Sequence, residues 1–348
     1  MARVLIVATS HKTRGGITSV IKAHQQGTQW KIFHCKWIET HIDKSVFWKL
    51  LYLIKGLVTY LILLPFYDII HIHTSEPPSA IRKCIFMWFA KLYRKKTIVH
   101  FHAFSTETTI KSKYKEVYYY LFNKADIVIV LSNFWKECIN NDFNLGGKIR
   151  VVYNPCTTEI SYKQYNKKNH ILYAGTINAR KGYEDLIKAF GLIANKYPDW
   201  EIIFAGNGEI EKGRKIAIDL GIEKQIIFLG WVNGVDKDKT FKEASIFCLP
   251  SYAEGFPMAV LDAWAYSLPV ITTPVGGIPD IAKNEENILL FQPGDYKSLS
   301  KQIDKLITNT ELRNNIIRNS SELAKTTFST NNINNTIKKI YYSITQNY

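Results

Sequence analysis

Short apolar runs recur along the chain, with helical stretches between them. In the first half they are RVLIVA (3–8), DIIHIH (68–73), TIVHFH (97–102), DIVIVL (126–131) and IRVVYN (149–154). In the second half they are HILYAG (170–175), WEIIFAG (200–206), QIIFLG (225–230), SIFCLP (245–250) and LPVITT (268–273). The runs are continuous and do not alternate with polar residues, which is how strands buried on both faces of a parallel sheet read. With helices between the strands, each half predicts a doubly wound α/β domain. NPCTTEISYKQYNKKN (154–169) is polar and without period, and it predicts a linker. The expected domains are therefore 1–160 and 161–330. In the C-terminal stretch Ile333, Ile337, Ile340, Tyr341 and Ile344 fall at helical spacing, so a helix over about 331–348 needs a surface to pack on.

One stretch has the pattern of a membrane segment, VFWKLLYLIKGLVTYLILLPFYDIIHIH at 46–73. A spanning helix needs about 20 uninterrupted apolar residues. Lys49 and Lys55 interrupt this one, so it is not expected to span. Core burial is expected for most of it, the alternative being a helix lying in a lipid interface with Trp48, Tyr52 and Lys55 at headgroup level.

Composition adds limits. A chain of 348 residues suits two domains, and 46% apolar with 22% charged residues is ordinary globular usage. Five scattered cysteines without a C-x-x-C pair support neither a disulfide framework nor a zinc site, and fit a reducing cytosol. The N-terminal MARVLIVATSHKTRGG reads as a first strand and not as a signal peptide. The net charge of +15 is uneven: residues 1–165 hold 23 Lys and Arg against 10 Asp and Glu, the remainder 22 against 20. A basic first half attracts anions such as lipid headgroups, nucleic acid or phosphorylated small molecules, and a plain Lys-rich surface is the alternative.

In doubly wound sheets ligands bind beyond the carboxyl ends of the strands. After the first strand, Gly15 and Gly16 precede a helix and would let backbone N–H groups approach an anion, although a plain turn explains them as well. G-x-G-x-x-G spacing is absent there. His102 ends a strand, where an imidazole is either structural or in reach of a sugar hydroxyl. Arg180 and Lys181 sit in the turn before a helix expected to start near Gly182. Two such cations suit a diphosphate, whose charge grows as it leaves, and a solvated pair is the alternative.

The fourth place is AEGFPMAVLDAWA at 253–265. Pro257 fits a first helical turn, making Phe256, Pro257 and Met258 a helix N-terminus beside Gly255. Glu254 lies on the preceding loop, and Asp262 about 7.5 Å along the helix axis, at 1.5 Å per residue. Two such acids could be a glycosidase pair. Beside the cations they are better explained as acceptors for sugar and ribose hydroxyls. Gly276 and Gly277 precede Pro279 at another expected helix N-terminus.

The run PSYAEGFPMAVLDAWAYSLPVITTPVGGIPDIA, residues 250–282, resembles the signature of family 4 retaining glycosyltransferases. The resemblance extends to AGTINARKGYEDLIKAF, AGNGE at 205–209, DIIHIH, HFHAFS and the N-terminal RGGI, in the family's order. It implies the GT-B fold, two Rossmann-like domains facing each other across a cleft, with the C-terminal helix crossing back onto the first. It also implies transfer of a sugar from a nucleotide donor, bound by the second domain, with retention and without metal or other cofactor.

By the same resemblance Glu254 contacts the transferred sugar, with backbone amides of Phe256 to Met258 helping to hold it. Asp262 holds the ribose hydroxyls, Lys181 the pyrophosphate, His102 approaches the donor sugar, and Gly16 belongs to the loop that closes over the diphosphate. Two positions depart from the pattern. Asp262 stands where the family usually has Glu, and Thr176 where an arginine often follows the strand, a charge that Arg180 could supply. The donor expected is a UDP-sugar, with GDP-mannose its main competitor. The acceptor expected is a saccharide, lipid-linked in view of the basic first domain, at an anionic membrane surface on the cytoplasmic side, in bacterial O-antigen or capsule assembly. A GT-B epimerase acting without acceptor is one alternative; a basic nucleic-acid or membrane binding protein without catalysis is another. No nucleic-acid motif or aromatic-basic interleaving supports nucleic acid as a partner.

Overall fold

The computed structural model describes residues 2–156 and 166–345, so the middle of the polar segment 154–169 lies outside the described residues. The chain forms two units, Met1–Thr157 with Phe328–Tyr348, and Thr158–Thr327.

In the first unit β1 (Val4–Ala8) leads through α1 (Gly16–Gln25) and α2 (Thr28–Ile32) to β2 (Lys36–Glu39), and α3 (Val46–Leu63) leads to β3 (Ile69–Thr74). Then follow α4 (Pro77–Leu92), β4 (Lys96–Phe101), α5 (Lys115–Lys124), β5 (Ile127–Val130), α6 (Asn133–Phe143) and β6 (Ile149–Val151). The six strands form one parallel sheet in the order β2-β1-β3-β4-β5-β6. Every residue of β1, β3 and β5 is buried, which accounts for their unbroken apolar character. The order reverses between β1 and β3, and beyond the carboxyl ends of such a strand pair an open α/β sheet has its crevice.

The second unit repeats the plan. It contains β7 (His170–Ala174), α7 (Tyr183–Gly191), β8 (Glu201–Ala205), α8 (Ile210–Asp219), β9 (Ile226–Gly230), α9 (Gly234–Glu243) and β10 (Ile246–Leu249). After these come α10 (Met258–Ala265), β11 (Val270–Thr272), β12 (Leu289–Leu290), α11 (Tyr296–Thr308) and α12 (Thr310–Lys325). Its parallel sheet runs β12-β11-β10-β7-β8-β9, so here the reversal falls between β7 and β10.

The last helix, α13 (Thr330–Thr345), belongs to the first unit. Its Ile333, Ile337, Ile340, Tyr341 and Ile344 are all buried, in one cluster with Val4, Ile6, Ile69 and Ile98 of the sheet.

Both units are doubly wound parallel α/β domains, and each of the ten apolar runs contains a strand. The two strands the runs did not show, β2 and β12, lie at sheet edges. The stretch after residue 45 needs a correction: α3 runs unbroken through Lys49 and Lys55, and it is not mostly core. Only Gly56 and Tyr60 of its 18 residues are buried, and Val46, Phe47 and Ile62 are 80%, 68% and 63% exposed.

Candidate active site

The carboxyl ends of β7 and β10 flank the reversal of the second sheet, and the loops leaving them carry the charged residues singled out above. After β7 the Asn178 side chain accepts from the Lys181 N–H at 3.1 Å, closing a short 3-10 turn over Ala179–Lys181. This turn brings Arg180 and Lys181 to the start of α7, with Gly182 as N-cap. After β10 the chain turns through Ser251 to Glu254, whose residue surface is only 7% exposed.

The two loops are tied together. The Tyr252 N–H donates to the Arg180 carbonyl at 2.7 Å, and the Arg180 guanidinium donates to the Ala253 carbonyl at 2.6 Å. The Lys181 ammonium donates to Glu254 Oε1 at 2.5 Å, the Ser251 hydroxyl to the same oxygen at 2.6 Å, and the Arg180 guanidinium lies 3.7 Å from Oε2. A carboxylate this enclosed is tolerated because cations and a hydroxyl surround it.

Gly276 explains how the Glu254 loop fits. It has φ +58°, and a Cβ there would lie 1.9 Å from the Glu254 carbonyl oxygen. Gly277 N–H donates to the Gly255 carbonyl at 2.8 Å. The VGG segment is therefore a backbone clamp on residues 254 and 255. The helix expected to start there is only a 3-10 turn, Ile278–Asp280. Pro257 stands one position before the helix as the N-cap of α10, with Met258 as its first residue; Phe256 is buried. Asp262, the fifth residue of α10, is buried and ion-paired with Lys237 of α9 at 2.6 Å. Ser251, Asn178 and Lys237 escaped the sequence reading. Lys237 lies 25 residues from its partner, with no local pattern to link them.

Gly15, Gly16 and His102 belong to the first unit. Gly15, with φ +142°, caps α1, and a Cβ on it would meet no atom within 4 Å; Gly16 opens the helix. His102 follows β4, half-buried, its Nε2 2.9 Å from His73 Nδ1. It is not a lone histidine. His71 and His73 on β3, His100 on β4 and His24 on α1 are all buried, and their alternate spacing in HIH and HFH was the legible signal. Asn334 and Tyr341 of α13 hold His24 and His71 at 2.8 and 2.7 Å. Nε2 of His24, His71 and His73 and both nitrogens of His100 are buried without a hydrogen-bond partner.

Desolvation pushes His24 down to about 4 and His102 to about 3, and holds the other three well below the usual imidazole range, with neighbouring histidines adding to the shift for all but His24. Nitrogens of His71, His73 and His100 come within 4.8 Å of one another, a spacing open to a metal ion. However, His71 lies at only 8° and 25° to the rings of His100 and His73. Lone pairs in parallel ring planes run side by side and do not converge, so coordination would require the rings to turn.

Two family descriptions match the chain: "Glycosyltransferase Family 4" over residues 38–160 and "Glycosyl transferases group 1" over 158–323. The chain belongs to the family 4 glycosyltransferases. The second match contains every charged residue of the Glu254 cluster. Among relatives, an uncharacterized glycosyltransferase of Haemophilus influenzae is 31% identical over 56% of this chain. The match spans only 55% of that protein's length. A UDP-Gal:alpha-D-GlcNAc-diphosphoundecaprenol alpha-1,3-galactosyltransferase of Escherichia coli is 28% identical, over 73% of this chain and 69% of its own. Among solved structures, Anabaena HepE in complex with UDP-glucose superposes with a TM-score of 0.79 at 19% identity, covering 99% of this chain and all of that one. At that identity the likeness establishes the GT-B fold and no more.

Proposed function

We propose that this family 4 member transfers a sugar from a UDP-sugar to a lipid-linked saccharide, with retention at the anomeric carbon, in the assembly of a bacterial surface polysaccharide. The observation that carries the reading is the Glu254 carboxylate, enclosed by Lys181, Arg180 and Ser251 at the switch point of the second sheet. A donor diphosphate brings more negative charge than one carboxylate and competes for Lys181 and Arg180, freeing Glu254 to accept hydrogen bonds from the sugar. As the bond to the sugar breaks, charge builds on the leaving diphosphate, where these two cations stabilise it most. They also supply positive charge of the kind a metal would, which supports a metal-independent reaction.

In this front-face displacement the acceptor oxygen forms the new bond on the side the diphosphate leaves. The acceptor proton passes to a diphosphate oxygen. Glu254 positions the sugar, Asp262 accepts from the ribose, and the neutral His102 imidazole can meet a sugar hydroxyl without adding charge. Gly15 and Gly16 leave backbone room for the phosphates. The lipid-linked acceptor is supported by the basic first half and by the E. coli relative, whose name specifies a diphosphoundecaprenol acceptor and UDP-Gal. On this reading the protein works at the cytoplasmic side of the membrane, and the polyanion it meets is lipid and not nucleic acid.

The test is a thermal-shift panel of UDP-, GDP- and ADP-sugars on the wild type and Glu254→Ala, followed by product analysis with donor alone and with a lipid-diphosphate saccharide. UDP-sugars should stabilise the wild type, and the sugar's increment over UDP should vanish in the variant. A changed sugar nucleotide formed without acceptor, or stabilisation by none of the nucleotides, would overturn the reading.

A further inference from the structure

Among the described residues the largest unexplained feature is the outer face of α3 and α4. On α3 Phe47, Leu50, Ile54, Val58 and Ile62 recur every three or four residues, each more than half exposed. On α4 Ile81, Ile85, Trp88 and Leu92 form a second exposed stripe at the same spacing. The two helices are joined: the Tyr60 hydroxyl donates to the Phe86 carbonyl at 2.8 Å, and Lys95, just past α4, donates to the Pro65 carbonyl at 3.1 Å. Outward apolar stripes on neighbouring helices mark an interaction surface and not a packing accident.

Charge identifies the partner. From Lys44 to Lys96 the chain carries nine Lys and Arg against two Asp and Glu, Lys83 alone of the nine being buried, and neither helix contains an acid. Exposed Lys49 and Lys55 lie along α3, exposed Lys44 just precedes it with its ammonium 5.4 Å over the Trp48 ring, and exposed Arg94 follows α4. Aromatic residues mark both ends, Phe47 and Trp48 at the start, Phe66 and Tyr93 beyond the finish. Aliphatic stripes framed by aromatics and cations fit the boundary between acyl chains and anionic headgroups. A second copy would set the same cations against each other, because a two-fold interface pairs a patch with itself.

We infer that the outer face of α3 and α4 docks the first unit on an anionic lipid surface, with α3 lying in the plane of the interface. The segment Val46–Phe66 is long and apolar enough to cross a bilayer. Its inner side is nevertheless committed to the domain. A Cβ at Gly56 would fall 2.4 Å from the Glu39 carbonyl, and Tyr60 is wholly buried. Crossing would strip both from the fold. The inference deepens the lipid-linked acceptor reading by naming the surface.

The test is co-sedimentation of the full chain with vesicles of phosphatidylglycerol and phosphatidylethanolamine, and with phosphatidylcholine alone. No donor or acceptor is present, so failure here leaves the transferase reading untouched. The wild type should bind the anionic vesicles and be released by alkaline carbonate. The exposed double variants Ile54→Asp/Ile62→Asp and Ile85→Asp/Trp88→Asp should each bind about tenfold or more weakly, with unchanged melting in solution. Equal binding to both vesicle types, binding retained by both folded variants, or carbonate-resistant insertion would each overturn the inference. So would a lipid-free dimer that the same variants dissociate, since the face would then belong to a second copy.

Discussion

The Lys181 ammonium lies 2.5 Å from Glu254 Oε1, across two loops that leave strands on either side of the chain reversal. Each group makes the other tolerable in a half-buried site, so removing one leaves a charge that must find another partner. Lys181→Ala should lower kcat about 10²- to 10³-fold if the ammonium stabilises the leaving diphosphate, as loss of one preorganised donor does elsewhere. Glu254→Gln keeps the shape and removes the charge. It should bind UDP at least as well as the wild type, because Lys181 no longer has a competing carboxylate, while losing turnover. Steady-state kinetics with UDP binding by calorimetry check both; weaker UDP binding by Glu254→Gln would contradict the competition.

Gly276 tests the clamp on the Glu254 loop. Gly276→Ala places a methyl group 1.9 Å from the Glu254 carbonyl in a left-handed backbone. The control is Gly221→Ala, where φ is +70° and a Cβ meets nothing within 4 Å. The control should cost about 1 kcal/mol from backbone strain alone. Gly276→Ala should cost at least 2 kcal/mol more, roughly the scale of a buried clash, and should abolish transfer. Equal melting temperatures for the two would mean that the loop moves aside and the clamp is not needed.

The sheets were legible because parallel strands buried on both faces require unbroken apolar runs, and ten runs gave ten strands. β2 and β12 were not, because Lys36–Glu39 at an edge needs no such run and Leu289–Leu290 is too short to show one. In α3 the apolar residues point to core or to a lipid interface, because apolarity reports affinity for a nonaqueous surface, whether that surface is the protein's own interior or something else. Glu254, Arg180 and Lys181 were each visible as strand-end charges, and the structure brings the three together. The Asp262–Lys237 pair depends on how α9 and α10 come together in space, and no spacing in the chain encodes that; the Asn178 cap is local, three residues before Lys181, and is the kind of N-cap signal a sequence does carry.

The pairing of Asp262 with Lys237 at 2.6 Å sets up a third prediction. If Asp262 accepts from the ribose, Lys237 orients its carboxylate in the unliganded protein. Asp262→Asn should then raise KM for the donor about tenfold, the value of one charged hydrogen bond, with kcat little changed. Lys237→Met should produce a smaller rise in the same direction. An Asp262→Asn variant that loses kcat instead would move this residue from ribose binding to the reacting centre.

The buried histidines predict how the first unit responds to acid. Burial lowers His24 to about 4 and His102 to about 3, and depresses His71, His73 and His100 strongly, while the unfolded chain titrates near the ordinary 6.5. Above pH 6.5 both states are neutral and these groups leave stability unchanged. As pH falls below 6.5, the unfolded chain binds protons that the folded imidazoles refuse, so stability drops by up to about 1.4 kcal/mol per pH unit for each group that stays neutral. Between pH 6.5 and 5 most carboxylates remain ionised, so the histidines should dominate the loss there. Denaturant unfolding across that window, followed by the tryptophans of the first unit, should show the midpoint falling with acid. His100→Phe removes a ring whose two buried nitrogens have no partner, and it should flatten the slope. A midpoint that stays level from pH 6.5 to 5 would mean the folded cluster accepts protons near the ordinary value, through a rearrangement of the stacked rings.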